Sequence, residues 1–273
     1  MSLGLTAAII VASVAVSLGV FFVVRKHAPE EGFFIDGDRA AGVFGVLATG
    51  FSVLLGFVVF LAFTSYDVAR SGARSEATDL IQQYETAQLL PKRVSPKLSG
   101  QLICYGRAVV GVEWPLLRSG KQPRFNPWGV PLFRTVATID PKTPAEQAAY
   151  AKWLDQTSDR EQARLDRVQA GNGIVPTPLW LILFVTAALV FLYAFFFADR
   201  REGRLPQAVI VGTITAMLVT SLLVIRFLDD PYRRGVGSLQ PTEMERVLGQ
   251  IDIANRALGL HVPIPCNSAG QPV

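Results

Sequence analysis

The chain has 273 residues, half of them hydrophobic and 18% charged, with a formal net charge of +4. That small excess forms no basic tract able to follow a phosphate backbone, so nucleic acid is not an expected partner. The two His (His27, His261) and two Cys (Cys104, Cys266) show no CxxC or HExxH spacing, and no GxSxG elbow, Walker loop or dinucleotide fingerprint is present. The expectation is a non-enzyme with no metal and no cofactor.

Four uncharged hydrophobic stretches organise the sequence: Leu3–Val24, Ala40–Ser65, Val175–Ala198 and Leu205–Ile225. Each reaches the ~20 residues a helix needs to cross a ~30 Å hydrocarbon core. None carries Lys, Arg, Asp or Glu, so none meets the cost of a charge at bilayer depth. The first stretch lacks a charged n-region and a small-residue cleavage site, and reads as a retained helix, not a signal peptide. The predicted fold class is all-α: an integral membrane protein of two transmembrane hairpins with a helical extramembrane domain between them. The predicted domains are residues 1–65 (first hairpin), 66–174 (extramembrane domain), 175–228 (second hairpin) and 229–273 (a tail packing on the central domain).

The first hairpin turns through Arg25–Arg39, which contains Gly32, Asp36, Gly37 and Asp38. After the second span the helical pattern continues to Leu90, interrupted by Gly72 alone and ended by Pro91. Ser95 as N-cap with Pro96 at the first helical position opens a helix towards Gly120, which Glu113-Trp114-Pro115 should bend. Residues 121–142 offer one short helix near Pro131–Ala137. Thr143-Pro144-Ala145-Glu146 is a capping box opening a helix to about Ala170, and Gly171-Asn172-Gly173 with Pro176 returns the chain to the membrane. The second hairpin turns through Asp199–Arg204. Asp229-Asp230 before Pro231 should end the last span; two carboxylates are too few for a Ca²⁺ site.

A resemblance follows from these residues. Gly45-Val46-Leu47 through Leu54-Leu55-Gly56-Phe57-Val58-Val59 is similar to the first core motif of the bestrophin-like domain family. The likeness continues through Glu76-Ala77, Leu89-Leu90-Pro91, Tyr105, Glu113-Trp114-Pro115, Arg160, Arg164-Leu165, Pro178-Leu179-Trp180 and Leu228-Asp229-Asp230-Pro231-Tyr232. It covers about Gly42 to Leu248. Two positions depart: Tyr232 stands where the family usually has Phe, and Gly235 comes one residue late. The family is itself likened to bestrophins, pentameric anion channels with four membrane helices per subunit, so the resemblance implies an oligomeric channel by analogy of fold.

Four helices enclose too little space for an aqueous path, so conduction requires subunits around an axis. The expected function is an oligomeric ion channel, anion-conducting, with the lipid bilayer, further copies of the chain and inorganic ions as partners. The second span is the candidate lining, through Thr49, Ser52, Gly56, Phe57 and Phe60; small residues allow close helix approach and rings can form a dewetting neck. The competing reading has the same small residues packing helices and Phe facing lipid. Arg70 and Arg74, with Asp67 on one helical face, are candidate pore-mouth charges, against an ordinary solvated face. On the last span, Thr213, Met217, Thr220 and Val224 form another stripe. The alternative function is a ligand-sensing or scaffolding membrane protein acting through a partner.

For orientation, Arg25-Lys26 after the first span and Arg200, Arg201 and Arg204 in the other turn favour cytoplasmic turns. Arg70, Arg74, Arg160, Arg164, Arg167, Arg233 and Arg234 oppose that by number, and analogy with bestrophins would put the termini inside. By density the turns win, and the expectation is a multi-pass protein of the cell (inner) membrane with the central domain and both termini on the outer, periplasmic face. Either orientation places Cys104 and Cys266 on the same side: a disulfide if it is oxidising, free thiols if it is not.

Overall fold

The computed structural model describes residues 3–30 and 32–273. Met1 and Ser2, in the predicted first-hairpin domain, and Glu31, in its turn, lie outside the described residues. The fold is all-helical, and among the described residues four helices are long and apolar enough to cross a membrane. They are α1 (Leu3–His27), α2 (Gly37–Ala87), α7 (Thr177–Phe196) and α8 (Arg204–Leu228). Between and after them come α3 (Ser95–Ala108), α4 (Trp114–Arg118), α5 (Gly129–Val136), α6 (Pro144–Gln169) and α9 (Thr242–Leu258). The chain divides into two compact units. One is residues up to Ser65 with Gly173–Asp230; the other is Tyr66–Asn172 with Pro231–Val273.

In the membrane unit, distant segments pack together as well as neighbouring ones. The main partner of α1 is α8. Ser17 and Thr215 share a buried hydrogen bond of 2.9 Å across that seam, which satisfies both hydroxyls where lipid offers no partner. The membrane half of α2 sets Phe51, Leu55 and Val58 against Leu183, Ala187 and Val190 of α7 and Leu218 and Ile225 of α8. The two turns are tied together by arginines: Arg25 donates to the carbonyls of Arg200 and Glu202, and Arg200 Nε returns a bond to the Arg25 carbonyl at 3.1 Å. Asp229 Oδ1 accepts from the backbone N–H groups of Ile174 and Val175 at 2.8 and 3.0 Å, fixing the entry to α7.

The extramembrane unit closes over one core that includes Leu80, Leu98, Leu102, Tyr105, Trp114, Trp153 and Tyr232, all 5% exposed or less. Its α2 segment tightens into i→i+3 bonds at Gln88, Leu89 and Leu90 before Pro91 stops it, three residues earlier than the pattern suggests. Ser95 does not cap α3: Val94 precedes the helix with no side-chain bond, and a turn bonded to the Pro91 carbonyl leads straight into it. The capping box at Thr143 is formed in both directions at 3.1 Å. The backbone N–H groups of Lys142 and Thr143 hold the Glu146 carboxyl below its usual range. The short helix α5 lies two residues earlier than its sequence signal at the start and one at the end.

At Glu113-Trp114-Pro115 the expected bend is a π turn over Val109–Glu113, in which the Trp114 N–H reaches the Val109 carbonyl. Pro115 has no N–H to continue the ordinary ladder, and the widened turn turns both Glu113 and Trp114 inward, 0% and 2% exposed. At Gly72 α2 meets α6: a Cβ there would lie 2.7 Å from the Arg167 nitrogen, so only glycine permits the crossing.

Candidate functional site

The first half of α2 has two unlike faces. Phe51, Leu55 and Val58 build the membrane core, whereas Thr49, Ser52, Gly56, Phe57 and Phe60 are all exposed, Phe57 by 60% and Phe60 by 64%. At ~100° per residue, Thr49, Gly56 and Phe60 fall within roughly 40° of one another around the helix. Ser52 and Phe57 flank that line on opposite sides, so the five residues do not face one direction equally. Ser52 and Gly56 border a cleft of about 360 Å³ between α2 and α8, with Met217 and Ser221 across from them. The α8 stripe of Thr213, Met217, Thr220 and Val224 is likewise exposed.

In the extramembrane unit, the α2 residues Arg70 and Arg74 are exposed side chains on the helix surface, as is Asp67. Beside them α2 buries Glu76 completely, and here lies a cluster the sequence reading did not assemble. Arg167 is 0% exposed and contacts both Glu76 and Glu113. Arg164 Nε donates to Glu113 Oε1 at 3.1 Å, and Tyr105 donates to Glu76 Oε1 at 2.7 Å. Arg160 bonds Gln83, pairs with Glu161 at 3.0 Å and lies 4.4 Å over the Tyr105 ring. Tyr232 uses its hydroxyl to bond the Arg167 carbonyl at 2.7 Å.

The electrostatics follow from that packing. Burial works against the Arg167 charge, but the carboxylates of Glu76 and Glu113 outweigh it and hold the guanidinium protonated above its ordinary range. Burial, reinforced by Glu76, pushes the Tyr105 phenol well above its ordinary value of 10.0. Burial likewise raises Tyr232, opposed by Arg167. Both phenols are neutral donors at any ordinary pH.

A sequence signal for the cluster existed. Trp153, Gln156, Arg160, Arg164 and Arg167 recur at helical spacing and are all buried on one face of α6. Three arginines thus occupy core-facing positions, although counted by charge they read as residues at a membrane border. The cysteines are also brought together: Cys104 on α3 and Cys266 in the tail form a disulfide with a Cα separation of 5.8 Å. The tail segment around it lies tight on α3, since a Cβ at Gly100 would meet the Pro263 carbonyl oxygen at 1.9 Å. Trp128 Nε1 donates to the Gly270 carbonyl at 2.6 Å.

A sequence profile described as the bestrophin-like domain matches residues 8–244. No curated protein sequence matches the chain. Among solved structures, the chain is similar to a bacterial bestrophin homologue from Klebsiella pneumoniae carrying a point substitution. That match has a TM-score of 0.68 at 11% identity, over 89% of this chain and 98% of that one. A zinc-phased structure of a homologue from the same organism gives 0.64 at 11%, over 92% and 99%. A crystal structure described as a membrane protein gives 0.70 at 12%, over 92% and 99%. At such identities the likeness is one of fold.

Proposed function

Because the chain belongs to the bestrophin-like domain family, we propose that it is a homo-oligomeric membrane channel for inorganic anions, with α2 nearest the axis. One observation carries the choice of helix: both α2 and α8 expose a stripe, but only that of α2 carries an aromatic ring, Phe60. The core of the membrane unit consumes one face of α2 and leaves Thr49, Gly56 and Phe60 uncovered in a line. Hydroxyls and glycines suit a wetted, closely packed seam better than a lipid-facing surface, and repeated rings form an apolar constriction. Arg70 and Arg74 then concentrate anions at the mouth. Purified protein reconstituted in planar bilayers is expected to conduct, with chloride more permeant than sodium. A monomer in nanodiscs that stays silent across voltage, pH and ionic conditions overturns the reading. A second membrane protein co-purifying with silent preparations would favour a sensing or scaffolding role.

Our reading of orientation keeps the disulfide-bearing unit on the outer, oxidising face of the inner membrane, because disulfides persist in oxidising compartments. Alkylation of freshly isolated protein with and without reductant, followed by intact mass, tests it. Two reactive thiols without reductant would place that unit on a reducing side.

A further inference from the structure

Between α5 and α6 the extramembrane unit holds a cavity of about 320 Å³. Its walls are apolar: Phe133 and Val136 from α5, Trp153 and Leu154 from α6. Two guanidiniums, Arg160 and Arg164, also line it, although they are only 2% and 6% exposed. An apolar cavity with a cationic floor has no use as a structural void. Empty cavities are lined by hydrocarbon, and buried charge costs unless it is matched.

The matching is incomplete. The buried cluster sets three guanidiniums (Arg160, Arg164, Arg167) against two fully buried carboxylates, Glu76 and Glu113, with the half-buried Asp79 carboxylate also near Arg160. Glu161, which pairs with Arg160, has a side chain 44% exposed and is correspondingly weakened by solvent. Among the described residues the buried Arg160 Nε has no hydrogen-bond partner. Among the described residues Arg164 Nη2 reaches the Pro123 carbonyl at 3.5 Å, the limit of a hydrogen bond. A buried N–H without an acceptor is costly, and a positively charged one more so. What the two arginines lack is an acceptor reaching from the cavity: water supplies the hydrogen bond, and an anion supplies the balancing charge as well.

We propose that this cavity binds a small amphipathic carboxylate, its anionic head on Arg160 and Arg164 and its aryl or alkyl body against Phe133, Val136, Trp153 and Leu154. At protein packing density the space admits roughly a dozen non-hydrogen atoms, the lower end of ordinary ligand sites. A simple inorganic anion satisfies the guanidiniums but leaves the walls wet, and a neutral apolar molecule leaves the Arg160 N–H unpaired. The exposed rings of Phe125 and Phe133, 72% and 74% accessible, stand at the mouth, where a ligand covers them. The site is independent of conduction and stands whether or not the assembly passes ions.

The test uses the full chain in nanodiscs, with 3-phenylpropionate and its uncharged isostere 3-phenylpropionamide as probes. Binding is followed by calorimetry and by fluorescence of the tryptophans, one of which lines the cavity. The carboxylate is expected to bind saturably, and the amide at least tenfold more weakly. Val130→Trp, which fills the mouth from an exposed position, should abolish binding, and Phe133→Ala should weaken it about fivefold by shrinking the apolar wall. Equal binding of acid and amide overturns the proposal, as does undiminished binding in both variants. A photo-crosslinker at position 133 that joins two copies would also overturn it, because the mouth would then be covered by a second copy.

Discussion

Arg167 sets the terms at the scale of single residues. Its guanidinium is shared by Glu76 and Glu113, so removing any one of the three strands a buried charge. Glu113→Gln is expected to lower unfolding free energy by about 3–5 kcal/mol, whereas truncation of an exposed arginine such as Arg74 should cost within about 0.5 kcal/mol. Denaturant titration of the detergent-solubilised protein measures both. Tyr105 gives a pH signature. Its phenol is raised in the folded state, so the proton is held more tightly there than in the unfolded chain. The stabilisation is therefore complete below the ordinary value of 10.0 and is lost as pH climbs above it. Tyr105→Phe should remove part of that alkaline loss and cost about 1 kcal/mol at neutral pH through the lost bond to Glu76. Stability curves at neutral and alkaline pH compare the two.

For the elements, α2 and its contacts carry the argument. Gly72→Val should destabilise the extramembrane unit by about 1–3 kcal/mol, because the added carbons meet α6 backbone at Arg167 and Ala163; thermal melts of the variant check it. On the membrane side, helical phase separates two rings that look equivalent in sequence. Phe60 shares its line with Thr49 and Gly56, while Phe57 is off it, so Phe60→Ala should raise single-channel conductance more than Phe57→Ala. Equal, unchanged currents would send both rings to lipid. Elements of this kind were legible wherever a local rule governs them: the four spans by length and charge, and α6 by its capping box. The α9 helix was equally available, with Met244, Val247, Leu248 and Ile251 at helical spacing, but lay in a segment read as tail. The α1–α8 pairing was not legible locally, and of the Glu–Arg cluster only the arginine face of α6 was, not its pairing with Glu76 and Glu113. They join residues 50 to nearly 200 positions apart, and a buried arginine has the same letter as an exposed one.

Across the whole molecule the disulfide closes a separation of 162 residues. The chain-entropy model gives about 5 kcal/mol for a loop of that length, so reduction should lower the melting temperature of the extramembrane unit sharply. Cys104→Ala paired with Cys266→Ala should reproduce the reduced protein without reductant. Thermal melts with and without dithiothreitol compare them; an unshifted transition would mean that the tail is held by packing at Gly100 and Trp128 alone. A ring assembly makes a second demand at this scale. Crosslinking should yield closed species of fixed subunit number, not an open ladder.

The shared guanidinium of Arg167 also limits how such chains can change over evolutionary time. Glu113 accepts from Arg164 and from Arg167, and Glu76 from Arg167 and Tyr105. Any single replacement passes through a destabilised intermediate, whereas joint replacement by apolar side chains of similar volume is nearly neutral. Descendants of a common ancestor should therefore keep or lose these positions as a block, and a lineage lacking an acid at position 113 should also lack the base at position 164.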